Sequence, residues 1–191
     1  MIDFDELFAG ARVMVILRAL GPADTVARAS AAWAAGVPLV EVTVGDLAGV
    51  DSLRATVEAA SGRPVAAGTV LTPEAARAAA GAGAVCTVAP GFDPEVLAAS
   101  RDAGLPHLPG VATPTEVHRA VRSGCRWLKV FPAATLGPGW FRTVHGPFPD
   151  VRFVATGGIT PATARGYLDA GVSVVGLGSA AGDPADLAGL V

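Results

Sequence analysis

The chain has 191 residues, 51% of them hydrophobic and only 16% charged, with a formal net charge of -3. That length fills one core well and two poorly, so residues 1–191 read as a single domain, and a composition this apolar excludes a disordered chain. No basic cluster marks a nucleic-acid or membrane surface, which leaves a small molecule as the expected partner.

The opening Met1-Ile2-Asp3-Phe4-Asp5-Glu6 is acidic and is read with an N-terminal helix ahead of the first strand. The apolar run Val13 to Leu17 is too short for a signal core or a membrane span, so a cytoplasmic location is expected. Strand-like runs recur at Val13 to Ala19, Leu39 to Val44, Pro64 to Val70, Ala84 to Pro90, Leu105 to Val111, Trp127 to Pro132, Arg152 to Gly158 and Ser173 to Ser179. Their starts lie about 20 to 26 residues apart, room for one helix and two short loops, as a right-handed parallel crossover needs.

The spacers carry helix punctuation. Pro22 to Gly36 is alanine-rich and closes on glycine. Thr72-Pro73, Asp93-Pro94, Thr113-Pro114 and Thr160-Pro161 each set an N-cap before a proline at the first helical position, where its missing N–H costs nothing. Gly81, Gly104, Gly124 and Gly171 are placed to end helices before the next strand. Eight βα units in this length predict a compact (β/α)8 TIM barrel. An open doubly wound sheet is the alternative, but no dinucleotide fingerprint follows the first strand.

In a barrel, the residues that matter sit toward the C-terminal ends of the strands. Ionisable candidates there are Arg18, Glu41 and Lys129. Alternation along strands puts Met14, Ile16 and Arg18 on one face, Leu39, Glu41 and Thr43 on another, and Trp127, Lys129 and Phe131 on a third, so all three charges are expected to converge inside. An ammonium among apolar neighbours is costly, and burial lowers its pKa, which would make Lys129 a nucleophilic amine. The competing readings are a strand-end lysine reaching to solvent and an Arg18–Glu41 ion pair, which leaves Lys129 unexplained. Two glycine turns, Thr156-Gly157-Gly158-Ile159 and Gly176-Leu177-Gly178-Ser179, end the seventh and eighth strands, where barrels often bind phosphate through backbone amides; tight turns alone would read the same. Cys86 and Cys125 flank strands and read as buried thiols, and three scattered histidines have no metal-ligand spacing, so no metal or cofactor is expected.

With those residues in hand, the chain resembles the 2-keto-3-deoxy-6-phosphogluconate aldolase family, which includes 4-hydroxy-2-oxoglutarate and 2-keto-3-deoxy-6-phosphogalactonate aldolases. The shared motifs run through Val15-Ile16-Leu17-Arg18, Val40-Glu41-Val42-Thr43, Ala67-Gly68-Thr69-Val70, Ala89-Pro90-Gly91, Pro109 to Glu116, Leu128-Lys129-Val130-Phe131-Pro132-Ala133 and the two glycine turns. The resemblance implies that Lys129 forms a Schiff base and Glu41 is the acid/base. It further implies that Arg18 and Thr69 hold the pyruvate portion, that Pro90, Phe131 and Thr156 meet substrate, and that Gly157, Gly158, Gly178 and Ser179 hold phosphate. A homotrimer is also implied. Many members carry an arginine where this chain has Gly45, Ala155 and Ala89 replace a proline and a serine common in the family, and only Asp183 to Leu190 remains for a shortened eighth helix.

The implied reaction is class I aldol cleavage of a 2-keto-3-deoxy-6-phospho-sugar acid to pyruvate and glyceraldehyde 3-phosphate, or of 4-hydroxy-2-oxoglutarate to pyruvate and glyoxylate. A Schiff-base decarboxylase of the oxaloacetate type would use the same iminium. A catalytically silent, phosphate-binding trimeric barrel is the reading from a different class.

Overall fold

Nine parallel strands form one sheet in the computed structural model, which describes residues 3–18, 20–45, 47–178, 187 and 190. The strands are β1 (Val13–Leu17), β2 (Val40–Thr43), β3 (Val65–Gly68), β4 (Cys86–Val88), β5 (His107–Leu108), β6 (Gly110–Val111), β7 (Trp127–Val130), β8 (Arg152–Thr156) and β9 (Val174–Leu177). They lie in the order β5-β4-β3-β2-β1-β9-β8-β7-β6. Since β5 and β6 are separated by Pro109 alone, the two ends of that list are one interrupted strand, and the sheet closes into an eight-staved barrel. Proline has no N–H to give the ladder, but its carbonyl still accepts from Lys129 N at 2.9 Å. Each strand falls inside an expected run, and each is shorter than expected.

The helices are α1 (Phe4–Leu7), α2 (Pro22–Ala34), α3 (Leu47–Ala59), α4 (Pro73–Gly81), α5 (Pro94–Asp102), α6 (Pro114–Arg122), α7 (Ala133–Leu136), α8 (Pro138–His145) and α9 (Pro161–Leu168). Thr72, Asp93, Thr113 and Thr160 cap α4, α5, α6 and α9 with their side chains, as their Thr-Pro and Asp-Pro pairs predict, and Thr113 and Thr160 complete capping boxes. Gly104, Gly124 and Gly171 take positive φ after their helices. Gly81 does not: it is the last residue of α4, and Gly83, at φ 88°, makes the left-handed turn instead. The expected eighth helix lies outside the described residues apart from Leu187 and Leu190; Leu187 is buried against the strand–helix layer.

Two apolar layers follow from the strand period. Outward residues such as Val13, Val15, Leu128 and Val130 pack against buried helix alanines, among them Ala29, Ala76, Ala79 and Ala120, whose small size lets helices approach the sheet closely. Inward residues Met14, Ile16, Leu39, Ala66, Cys86, Leu108 and Val154 fill the barrel together with Phe4, Leu7 and Phe8 from the N-terminal segment. Leu39 and Val174 mark the entry ends of their strands, so α1 plugs the N-terminal end of the barrel. Phe8 packs on Trp127 with ring centroids 4.9 Å apart, and Trp127 Nε1 donates to Asp5 Oδ1 at 2.9 Å. Both cysteines are unpaired and buried. Among the described residues no helix is long and apolar enough to cross a membrane.

Candidate active site

With its N-terminal end plugged, the barrel is open to chemistry at the other end, and two charges stand inside it there. Lys129 is the third residue of β7, paired with Gly110 on one side and Val154 on the other. Glu41 is the second residue of β2, between Ile16 and Ala66. The strand period turns both inward. Lys129 Nζ lies 3.3 Å from Glu41 Oε1 and 3.4 Å from Oε2, with the lysine 4% and the glutamate 0% exposed. Neither charge is compensated by solvent, so each depends on the other.

Glycine makes room for this pair. A Cβ built on Gly68, inward-facing on β3, would stand 2.6 Å from both Cγ and Cδ of Glu41 and would overlap its carboxylate. Only a glycine there lets the glutamate lean across the neighbouring strand. Gly110, on the strand next to Lys129, has a similar role: a side chain on it would overlap the backbone of Pro90 and Gly91, so the loop after β4 closes directly on the barrel rim.

Thr43 and Thr156 stand two residues beyond Glu41 and Val154 on the same inward faces. Thr156 is 1% exposed and its Oγ1 is buried with no hydrogen-bond partner, an orphan hydroxyl that costs free energy until something meets it. Thr69, just past β3, holds φ at 59°, a conformation uncommon for a residue with a Cβ and one concentrated at functional sites. Gly157 and Gly158 follow Thr156 at φ 93° and 78°, and a Cβ on Gly157 would come within 2.8 Å of the Phe131 ring. Phe131 itself is partly open to solvent. Gly178 follows β9 and is half-buried; Ser179 lies outside the described residues.

Arg18 departs from expectation. β1 ends at Leu17, so Arg18 does not continue the inward alternation of Met14 and Ile16; it is exposed at the rim. The Arg18–Glu41 ion pair does not form, because Lys129 has taken the carboxylate. Arg18, Thr43, Gly45 and Thr69 instead line a cleft of ≈ 560 Å³ beside the mouth. The spatial role of Gly68 and the strain at Thr69 were invisible to strand alternation. One signal was available without any structure: Lys129 is the only lysine in the chain. Among the described residues no cluster of three His, Cys, Asp or Glu side chains comes together as a metal-binding set.

The family model for KDPG and KHG aldolase (the 2-keto-3-deoxy-6-phosphogluconate and 4-hydroxy-2-oxoglutarate enzymes) matches residues 4–188. The chain is 37% identical over 165 residues to the 2-dehydro-3-deoxy-phosphogluconate aldolase of Pseudomonas aeruginosa, spanning 86% of this chain and 75% of that protein. It is 34% identical over 169 residues to the 2-dehydro-3-deoxy-6-phosphogalactonate aldolase of Escherichia coli (strain K12), spanning 87% and 82%. Its fold is similar, at a TM-score of 0.85 and 31% identity over 92% of this chain and 85% of the other, to a KDPG aldolase of Legionella pneumophila with pyruvate captured at low pH as a covalent carbinolamine intermediate.

Proposed function

The chain belongs to the KDPG and KHG aldolase family, and from that premise we propose that it is a class I aldolase working through a Schiff base on Lys129. The buried contact between Lys129 Nζ and Glu41, at 3.3 Å, is the observation that carries this reading. Lys129, once its ammonium has given up a proton, adds to the ketone of a 2-keto acid to give a carbinolamine, whose hydroxyl takes a proton back and leaves as water. The iminium that results draws electrons from the next carbon–carbon bond. Glu41 takes the proton of the substrate hydroxyl as that bond breaks, the aldehyde departs, and the same carboxyl returns a proton to the enamine. Water then releases pyruvate and frees the lysine.

The substrate class is the one the relatives' names carry, 2-keto-3-deoxy-6-phospho-sugar acids or 4-hydroxy-2-oxoglutarate. Arg18 and Thr69 would hold the carboxylate, the orphan Thr156 hydroxyl would meet a substrate oxygen, and the turns at Gly157, Gly158, Gly178 and Ser179 would hold a phosphate. Pro90 and Phe131 would wall the mouth. The one-barrel unit over residues 1–191, a homotrimeric assembly and a cytoplasmic location complete the proposal.

Borohydride added with pyruvate tests it. Because the chain has a single lysine, a reduced adduct on a side-chain amine can only be on Lys129, and mass spectrometry need exclude only the N-terminal amine. Glu41→Gln should keep the adduct and lose most of the turnover, since amine attack and proton shuttling are separate steps. No adduct on Lys129 would end the Schiff-base reading.

A further inference from the structure

Going one residue up at each strand pair, the sheet register leads from Glu41 through Val88, Lys129 and Gly176 on alternate staves and returns to Glu41 after a full circuit, which is how a barrel gathers one layer of inward side chains. Glu41 and Lys129 meet across the barrel from the second and sixth staves, so the other two places flank their contact. Val88 fills one. Gly176 leaves the other without a side chain, and methyl groups from the two neighbouring strands take it: a Cβ built on Gly176 would stand 3.1 Å from Ile16 Cδ1 and 2.6 Å from Thr156 Cγ2. The same circuit started at Ile16 passes Gly68, Gly110 and Thr156, so in the next layer toward the open end only Ile16 and Thr156 carry side chains. The two apolar walls beside the pair also differ in access. Val88 is 1% exposed and Ile16 8%. With α1 closing the entry end of the barrel, solvent comes to Ile16 from the open end, and a substrate that displaces this solvent meets Ile16.

Resting on the Schiff-base reading above, we propose that Ile16 is a specificity-determining residue: its Cδ1 closes the space beside C3 of the bound 2-oxo acid and limits the donor to pyruvate. C2 is bonded to Lys129 Nζ, and C1 is a carboxylate that belongs with the cation and hydroxyl of the rim. C3 is the carbon that Glu41 protonates, so it stands beside the buried pair, and it is the one apolar group a 2-oxo acid donor offers. An isoleucine with no donor to give suits that carbon and no other. A further methyl on C3 would need the place that Ile16 Cδ1 holds over Gly176, and interiors packed this closely resist even one added methylene.

Borohydride trapping with pyruvate and 2-oxobutanoate, in the parent and in Ile16→Val, tests this. The substitution deletes Cδ1 alone, one of the mildest changes a core tolerates. The half-saturating concentration of 2-oxobutanoate divided by that of pyruvate should fall about tenfold from parent to variant, and comparing the two proteins cancels the intrinsic reactivity of the two ketones. Ile16→Ala, which removes three carbons, should extend trapping to 2-oxopentanoate. If pyruvate labels Lys129 and the ratio stays at the parent value in both variants, Ile16 does not set the donor and the Schiff base stands. Variants that lose pyruvate labelling while the parent keeps it also overturn the assignment, because Ile16 would then serve the barrel and not the choice of donor. If pyruvate gives no label in the parent, the Schiff-base reading itself has failed.

Discussion

At the scale of single residues, the site depends as much on absent side chains as on present ones. Glu41 reaches Lys129 because Gly68 has no Cβ where the carboxylate lies. Gly68→Ala should therefore displace the carboxylate without removing either charge. A misplacement of about 1 Å costs on the order of 10²-fold in rate, so turnover should fall by roughly that much while borohydride still labels Lys129. A variant that turns over like the parent would show that the position of Glu41 across β3 is not what the reaction uses. The lysine had the clearest composition signal: a chain that carries its other fixed cations as arginine keeps one residue whose amine can lose its proton and act as a nucleophile, which a guanidinium cannot.

At the scale of elements, helix starts were written in Thr-Pro and Asp-Pro pairs, and the strand period assigned inward and outward faces. The role of the first helix was not written anywhere. α1 has four residues, too few to be stable alone, and it is held by Phe4, Leu7 and Phe8 inside the barrel's entry end. Phe8 is 5% exposed against Trp127, so Phe8→Ala should cost about 3 to 5 kcal/mol by the usual large-to-small penalty. Urea denaturation should show that loss as a lower midpoint with an unchanged slope, and pyruvate trapping on the folded fraction should persist because the plug lies at the opposite end from Lys129. A loss below about 1 kcal/mol, well short of that penalty, would mean that α1 only covers the barrel.

For the whole molecule, acid stability should depend on His107, a buried side chain of β5. His107 is 5% exposed; its Nδ1 lies 2.8 Å from Thr87 Oγ1, and its Nε2 is buried with no partner. Burial first, then the charge of Arg101, lower its pKa from 6.5 to about 4, with Asp93 pulling the other way. The unfolded chain therefore binds a proton that the native ring refuses. The stabilisation is complete above about pH 6.5 and is lost as pH falls toward about 4, an effect of roughly 3 kcal/mol at about 1.36 kcal/mol per pH unit. Urea midpoints between pH 7 and pH 4 should fall more steeply for the parent than for His107→Gln, and parallel curves would remove His107 as the cause.

Sequence alone determined the barrel, its eight staves, the inward faces of Lys129 and Glu41 and the family, because strand period, helix caps and ordered motifs are local patterns that survive in one dimension. Tertiary structure alone decided that Glu41 pairs with Lys129 and not with Arg18, that Gly68 makes the pairing possible, that Pro109 splits a stave and that a cleft opens beside Arg18. Each of these depends on which side chains from different strands compete for the same space, and that competition exists only once the sheet has closed.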